Sequence, residues 1–131
     1  MKNRKNKTIE ELLNAFFAGQ RHFQNWDFDE DGTIKGINLS GIIFEECFLF
    51  LDFRDSNLTN TKFIKCNIKT ADFRGSDLTH ALIKNCSVES TTFKGAKTDN
   101  LIFKENYCYG NVVNQKDFDE IFKDSNEFEQ K

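Results

Sequence analysis

The chain has 131 residues, of which 38% are apolar and 30% are charged, and its formal net charge of -3 at pH 7 excludes a strong long-range field of either sign. This length is typical of one domain with one continuous core, and 15 phenylalanines supply most of the large apolar side chains. No apolar run is long enough to span a membrane and no hydrophobic signal segment is present, so we expect a cytoplasmic protein with no membrane partner.

The first predicted element is a helix that follows a polar, basic start. We expect the start to be disordered and give it no role. Thr8 and Glu11 form the S/T-x-x-E capping box that marks a helix N-terminus, and Gly19 is a stop signal. Residues 1–18 are therefore predicted to hold a disordered start and a capping helix. The apolar residues on one face of that helix are Leu12, Leu13, Phe16 and Phe17.

An acidic segment comes next, and residues 27–34 reproduce the first eight positions of an EF-hand calcium loop. The twelfth position is Asn38 instead of a bidentate glutamate, and Phe28 and Ile34 belong to the repeat that follows. We therefore interpret the segment as an acidic turn and predict no metal or other cofactor. The carboxylates that would bind calcium in the alternative interpretation are those of Asp27, Asp29 and Asp31.

From Phe53 onward, large apolar residues recur at every fifth position. This period matches neither the 3.6 residues of a helix turn nor the two residues of a strand. A second, mostly small residue lies two positions before each of them, so the chain must turn every five residues with both sets pointing inward. The central residues of these pentads are Phe53, Leu58, Phe63, Ile68, Phe73, Leu78, Ile83, Val88, Phe93, Thr98, Phe103 and Cys108.

Two successive pentads, Ala71–Gly75 and Ser76–His80, each carry a small residue, an aspartate, a Phe or Leu, and two further residues. This pattern resembles that of the pentapeptide-repeat family, and the resemblance extends over residues 19–110. It implies an all-β solenoid, a right-handed quadrilateral β-helix of about four to five coils, in which residues 20 apart stack at about 4.8 Å. We expect a short α-helix at each end to cover the open coils.

Central residues 20 apart define four faces, which we number in chain order. The first, second, third and fourth faces begin with Phe53, Leu58, Phe63 and Ile68. Upstream, the spacing is six between Phe28 and Ile34 and four between Leu49 and Phe53. We therefore predict one inserted and one missing residue, each with a local bulge or corner defect.

The outward residues of the third face depart from the family pattern, because Ile43, Leu82 and Ile102 stand where aspartate or asparagine is expected. An apolar stripe with lysines beside it is typical of an interaction surface. In the alternative, a terminal segment of the chain folds over this face. The predicted partner surface, which includes two residues of the next face, comprises Ile43, Phe48, Phe50, Lys62, Ile64, Lys65, Leu82, Lys84, Ile102 and Lys104.

The remaining reactive side chains do not form a recognisable catalytic or metal-binding pattern. The spacing of the four cysteines matches no zinc site, and we predict that they pack as reduced thiols. Neither His22 nor His80 has a nucleophile and an orienting acid at a recognisable spacing. We therefore predict that the protein is not an enzyme. The cysteines are Cys47, Cys66, Cys86 and Cys108.

The C-terminal tail, residues 111–131, contains a predicted short amphipathic helix over Asp117–Glu127. Its apolar positions are Phe118, Ile121 and Phe122. Two roles are open for it. It caps the last coil, or it forms a homodimer, since the family resemblance implies that a C-terminal helix or strand often mediates dimerisation.

These features predict a non-enzymatic protein-binding or scaffold module whose partner is a protein of unknown identity. Direct nucleic-acid binding is not expected, because the lysines of the third face alternate with aliphatic side chains and not with aromatic ones. The family resemblance implies an alternative, since some pentapeptide-repeat proteins mimic duplex DNA, bind DNA gyrase and protect it from quinolones. A structural or immunity-type role is a further alternative.

The gyrase alternative requires an acidic face. The aspartates of the first face are accompanied by basic residues that offset their charge. These first-face residues are Asp52, Asp55, Asp72, Arg54, Arg74 and Lys94.

Overall fold

Short parallel strands wind around one axis, and two short helical segments close the ends. The computed structural model describes residues 5–28 and 32–125. In chain order, the described elements are β1 (Lys5–Asn6), α1 (Ile9–Phe17), β2 (His22–Gln24), β3 (Trp26–Asp27), β4 (Gly32–Thr33), β5 (Ile43–Glu45), β6 (Leu51–Asp52), β7 (Lys62–Ile64), β8 (Leu82–Lys84), β9 (Ile102–Lys104), β10 (Asn106–Cys108), β11 (Asn111–Val113), α2 (Gln115–Asp117) and a π-helical turn (Phe118–Phe122).

The predicted β-solenoid is confirmed by the register of its strands. Strands β2, β5, β7, β8 and β9 form a parallel five-stranded sheet in that order, which is the third face. Phe23 pairs with Phe44, 21 residues later, and Phe44 pairs with Phe63, 19 residues later. From Phe63 the offset is 20, to Ile83 and then to Phe103. The inserted and the missing residue therefore change the sequence separation between paired residues by one. The central residues of the third face still stack on one another in register.

The corners of the solenoid explain the five-residue period. Wherever the corner is described, the residue two positions after a central residue has a positive φ, with one exception. Gly75, His80 and Asn85 are successive examples, at 70°, 59° and 57°. The exception follows Leu49, because Leu51 already belongs to strand β6. The residue missing from this coil is thus its corner residue.

Where aspartate or asparagine precedes a central residue and the corner is described, its side chain stabilises that corner. Asp77 Oδ1 accepts a hydrogen bond from the backbone N–H of Thr79 at 3.0 Å, and Asn57 Oδ1 does the same for Thr59. Aspartate and asparagine favour such turns because their side chains reach the backbone two residues later. The small inward residues also bond locally, since Ser76 Oγ donates to the Phe73 carbonyl at 2.7 Å.

One corner glycine provides a direct test of this geometry. Gly75 and Gly36 occupy equivalent corners at φ values of 70° and 73°, but a Cβ on Gly75 would overlap the Asp55 carboxylate whereas a Cβ on Gly36 would meet open space. We expect Gly36→Ala to lower the free energy of unfolding by about 1–2 kcal/mol through its backbone conformation alone. Gly75→Ala should lower it further. Urea unfolding measures both changes, and equal losses would contradict the proposed overlap.

The N-terminal helix covers the first coil, as predicted. Thr8 and Glu11 form the capping box, and Leu12 and Phe16 are buried in the core. Phe17 differs from the prediction, because 69% of its side chain is exposed. The predicted disordered start also needs correction, since β1 pairs in parallel with β3 and extends the fourth face by one strand.

The C-terminal segment covers the other end of the solenoid. β11 pairs antiparallel with β10, and Ser125 accepts backbone hydrogen bonds from Phe93 and Lys94. The open edge of β9 is closed by side chains, because Gln115 Oε1 and Asn114 Oδ1 accept from the backbone N–H groups of Phe103 and Glu105, each at 2.8 Å. The helical segment runs from Gln115 to Phe122, which is earlier and shorter than the predicted Asp117–Glu127.

This arrangement corrects the prediction that Phe118, Ile121 and Phe122 together form a dimer surface. Phe118 and Phe122 are buried against the last coil, with ring centroids 5.0 and 5.5 Å from that of Phe103. Ile121 is 64% exposed. Of the two roles that the sequence left open, Phe118 and Phe122 therefore serve as a cap, and Ile121 alone of the three is available to a partner.

Candidate functional site

The third face brings most of the predicted partner surface together. Its outward residues form two columns that run along the solenoid axis. In the first column Ile43, Lys62, Leu82 and Ile102 pair in register, and in the second Glu45, Ile64, Lys84 and Lys104 do so. We define the third-face patch as Ile43, Lys62, Ile64, Lys65, Leu82, Lys84, Ile102 and Lys104.

The other two predicted surface residues lie around a corner. Phe48 pairs with Asp27 and Asn67 on the fourth face. Its ring centroid is 6.1 Å from that of Phe50, and both side chains are exposed. The sequence therefore assigned these two phenylalanines to a surface correctly, but they form a separate aromatic pair that is not part of the third-face patch.

The apolar side chains of the patch are only partly shielded. Ile43, Ile64 and Leu82 are half-buried by neighbours in the adjacent coils, and Ile102, near the C-terminal end, is 54% exposed. The described C-terminal residues close the last coil, so they do not fold over this face. Within the described part of the chain, the patch is therefore open to a partner.

Charge is segregated along the third face. Glu45 lies at its N-terminal end, where its Oε1 is 2.8 Å from His22 Nε2. Further along, Lys84 is directly opposite Lys104 in the register. Over residues 5–28 and 32–125, the ammonium groups of Lys62, Lys65 and Lys84 have no carboxylate within 4.0 Å. The C-terminal half of the face is thus basic although the whole chain is acidic.

The first face shows the opposite arrangement, because its acids and bases pair with each other. Arg54 donates two hydrogen bonds to Asp52, at 2.9 and 2.8 Å, and Arg74 binds Asp72 in the same way. These bonds from Arg54 hold the pKa of the Asp52 carboxyl below its usual value. The acidic face that a duplex mimic needs is therefore neutralised here.

A shallow cavity of about 320 Å³ lies at the corner where one residue is missing. Phe50 lines it together with Arg54 and Arg74 and their partners Asp52 and Asp72. The four-residue spacing before Phe53 predicted a defect at this position, but a spacing cannot show that the defect is open. Both arginines are already engaged by aspartates, so the cavity offers a ligand few unpaired groups.

Two of the three residues predicted to bind calcium in the alternative interpretation lie outside the part of the chain that the structure describes. Asp29 and Asp31 lie outside the described residues, whereas Asp27 is in β3, where its carbonyl accepts from the Lys7 backbone N–H at 2.7 Å. No cluster of three or more potential metal ligands occurs in the parts of the chain that the structure describes.

Three of the cysteines form a buried column. Cys47, Cys66 and Cys86 each donate a hydrogen bond from Sγ to the carbonyl oxygen of a central residue in the preceding coil, at 3.3 Å. Hydrogen bonding to Cys66, followed by burial, raises the pKa of the Cys47 thiol, and burial raises that of Cys66. This geometry is that of packed, protonated thiols.

We expect these three thiols to be almost inert in the folded protein. The thiolate is the reactive species, so the burial of all three thiols, together with the raised pKa of Cys47 and Cys66, should slow iodoacetamide labelling at pH 8 by more than about 100-fold relative to the protein in guanidinium. The labelling rates of Cys47 and Cys66 should still rise between about pH 8 and pH 10 without a plateau, because the pKa of each thiol is raised. Mass spectrometry of labelled peptides measures each site. Labelling of Cys66 or Cys86 at the rate of the unfolded chain would contradict this expectation.

The sequence placed Asn106 inward, two positions before Cys108, but assigned it no role, and the structure shows that it ends the cysteine column. Asn106 is fully buried at the next inward position, where its Oδ1 accepts from the Cys86 backbone N–H and its Nδ2 donates to the Ile83 carbonyl, both at 2.9 Å. An asparagine in a column of small residues was the available signal. Its amide provides a partner to each of two backbone groups in the last full coil.

Comparison with known proteins agrees with this architecture. Residues 52–89 match the family described as pentapeptide repeats, with 8 copies of the repeat. No protein with a curated description matches the sequence. Neither of the described helices has the length and apolar character that crossing a bilayer requires.

Solved structures with the same fold are distant in sequence. HetL, a pentapeptide-repeat protein from the cyanobacterium Nostoc sp. strain PCC 7120 involved in heterocyst differentiation regulation, is 15% identical over 77% of this chain and 45% of its own, with a TM-score of 0.63. The pentapeptide-repeat protein alr5209 from Nostoc PCC 7120 is 20% identical over 81% of this chain and 84% of its own, with a TM-score of 0.57.

A third neighbour is trypsin-treated QnrB1, a plasmid-mediated fluoroquinolone resistance protein. It is 23% identical over 65% of this chain and 46% of its own, with a TM-score of 0.56. This chain thus spans less than half of the length of QnrB1 and of HetL. At these identities the likeness concerns the fold alone. The five-residue register and the 8 matched copies show that residues 52–89 are pentapeptide repeats, and the shared folds show that the chain forms a pentapeptide-repeat β-helix.

Proposed function

We propose that this protein is a non-enzymatic binding or scaffold module that holds a protein partner on its third-face patch. The observation that carries the proposal is the combination, on one regular sheet face, of exposed Ile102, half-buried Leu82 and three lysines that have no carboxylate within 4.0 Å among the described residues. Apolar side chains surrounded by polar ones are typical of the centre and rim of a protein interface. Nucleic acid fits the patch less well, because no aromatic side chain lies in it for base stacking.

The regular backbone supports a binding role. Each strand of the third face is hydrogen-bonded to the next, and its central residues are fully buried or nearly so. A surface of this kind presents its side chains in a preorganised arrangement, which reduces the entropy lost when a partner binds. The buried thiols suit a reducing compartment, and we place the proposed activity in the cytoplasm.

Affinity capture from a cell lysate tests the proposal. The patch variant carries Ile43→Lys, Leu82→Lys and Ile102→Lys, which adds three positive charges to the third face. A matched control carries Asp55→Asn and Asp99→Lys, which adds the same charge at exposed positions of other faces. We expect mass spectrometry to find a partner with the wild type and the control, and at least about tenfold less of it with the patch variant.

Two results would overturn the proposed site. Recovery of topoisomerase subunits by all three baits would favour the duplex-mimic alternative, because that role does not use the patch. A set of captured proteins that is identical for the wild type and the patch variant would favour a structural role. Circular dichroism melts of each bait confirm beforehand that the three proteins are folded to the same extent.

A further inference from the structure

The spacing of apolar side chains on the third-face patch restricts the shape of its partner, if the proposed binding role is correct. One aliphatic side chain projects from each of four successive coils. We call these the apolar row: Ile43, Ile64, Leu82 and Ile102. Because stacked strands lie about 4.8 Å apart, the row spans about 14 Å along the solenoid axis. It is staggered, since Ile64 lies in the second column and the other three side chains lie in the first.

An α-helix fits this spacing better than an extended strand does. Apolar side chains on one face of a helix recur every turn, at about 5.4 Å, which differs from the coil spacing by about 0.6 Å. On one face of a strand they recur every second residue, at about 6.6 to 6.8 Å, so the mismatch reaches about 2 Å at each step. A helix also matches the stagger of the row, because its apolar side chains at i, i+3 and i+7 lie on alternate sides of one face, whereas the same-face side chains of a strand lie on one line.

Charge on the patch indicates the polar side chains of the partner. We define the lysine flank as Lys62, Lys65, Lys84 and Lys104. Lys62 lies in the first column between Ile43 and Leu82, whereas Lys84 and Lys104 continue the second column beyond Ile64. Like charges that are directly opposite on neighbouring strands repel each other, as Lys84 and Lys104 do here. Glu105 is within 4.0 Å of Lys104, but the other three lysines have no acid this close among the residues that the structure describes. Carboxylates from a partner would relieve this repulsion.

We infer that the third-face patch binds an acidic amphipathic α-helix that lies along the solenoid axis, with its apolar side chains on the apolar row and its carboxylates at the lysine flank. Helix recognition of this type places apolar anchors at i, i+3 or i+4, and i+7. The inference deepens the proposed binding function, because it specifies the secondary structure and the charge of the bound segment.

Fluorescence anisotropy with designed peptides tests the inference. The probe is a fluorescein-labelled peptide of about 18 residues with leucine at a three-to-four-residue spacing, glutamate on both sides of the leucines, and alanine elsewhere. A second peptide has the same composition, with leucine and glutamate alternating so that it matches a strand. We expect the helical peptide to bind the wild-type protein with a dissociation constant of about 10–100 µM, and the alternating peptide to bind at least about tenfold more weakly.

Charge-reversed variants show where the probe binds. Lys84→Glu combined with Lys104→Glu should weaken binding of the helical peptide by at least about tenfold. The control, Lys97→Glu, changes an exposed lysine on the second face and should leave the affinity within about twofold. Raising the salt concentration from about 0.05 to 0.5 M should weaken wild-type binding and should affect the double variant less.

The outcomes separate this inference from the proposed function. Equal or tighter binding of the alternating peptide, or no patch-dependent binding of the helical peptide at about 1 mM, overturns the helix inference. If the helix inference is overturned but lysate capture still depends on the patch, the proposed protein-binding function still holds. If the Lys97→Glu control weakens binding as much as the double variant does, the peptide binds by general charge attraction and the inference is wrong.

Discussion

Replacement of Phe73 by alanine is expected to lower the free energy of unfolding by about 3–5 kcal/mol. Phe73 is completely buried, and its ring centroid is 5.0 Å from those of Phe53 and Phe93, with interplanar angles of 5° and 6°. A third ring, that of Phe63, packs edge-on against it at 5.7 Å. Alanine would leave a cavity between two coils that cannot collapse, because each coil is held at the spacing of its backbone hydrogen bonds.

Urea unfolding followed by circular dichroism measures this change, and Phe17→Ala is the matched control. Phe17 is 69% exposed, so the same substitution there should change the unfolding free energy by less than about 0.5 kcal/mol. The loss of unfolding free energy for Phe73→Leu should lie between the losses for Phe73→Ala and Phe17→Ala. Leucine is compatible with a central position, since Leu58 and Leu78 occupy the central positions of the second face. If Phe73→Ala lowers the free energy of unfolding by less than about 1 kcal/mol, the stacked phenylalanines are not the main source of stability.

Removal of the C-terminal cap at Phe118 should have a comparable effect. Phe118 is 1% exposed, and its ring contacts Phe93 at 5.2 Å and Phe103 at 5.0 Å between centroids. We expect Phe118→Ala to cost about 3–5 kcal/mol. It should also uncover the last coil, because the same segment positions the side chains that close the edge of β9. An exposed strand edge promotes pairing between molecules, so we expect the variant to self-associate.

Thermal unfolding and light scattering of the variant test both parts of this expectation, with Ile121→Ala as control. Ile121 is three residues from Phe118 in the same helical segment but is 64% exposed. Its substitution should leave the unfolding free energy within about 0.5 kcal/mol. If Ile121→Ala, and not Phe118→Ala, changes the mass in solution, the segment acts in association between molecules rather than as a cap.

The sequence was sufficient to predict the solenoid because each pentad carries its own structural signals. Ser76 bonds to the Phe73 carbonyl, and Asp77 bonds to the backbone of Thr79, within five residues of chain. The register over β7, β8 and β9 follows from repeating this unit. The outward residues of the third-face patch could be assigned in the same way, because inward and outward positions alternate along each strand.

The errors lie where a pattern is compatible with more than one environment. Phe16 and Phe17 are adjacent, and successive residues of a helix point about 100° apart, so one is buried and the other is exposed. Phe118 and Phe122 have the spacing of an amphipathic helix, which specifies an apolar face but not the surface that covers it. Strand β1 is only Lys5–Asn6, and two polar residues carry no detectable period.

What the sequence determined by itself is the coil: the five-residue period, the inward ladders, the corner that lacks a residue and the capping box of the first helix. These features depend on interactions within a few residues or between identical neighbours 20 residues apart, so they recur and can be recognised. Only the tertiary structure decided which segments close the ends of the solenoid and that none of the described residues covers the third-face patch. The contact between Ser125 and Thr91 joins residues 34 apart that belong to no repeat. No periodicity encodes such a contact.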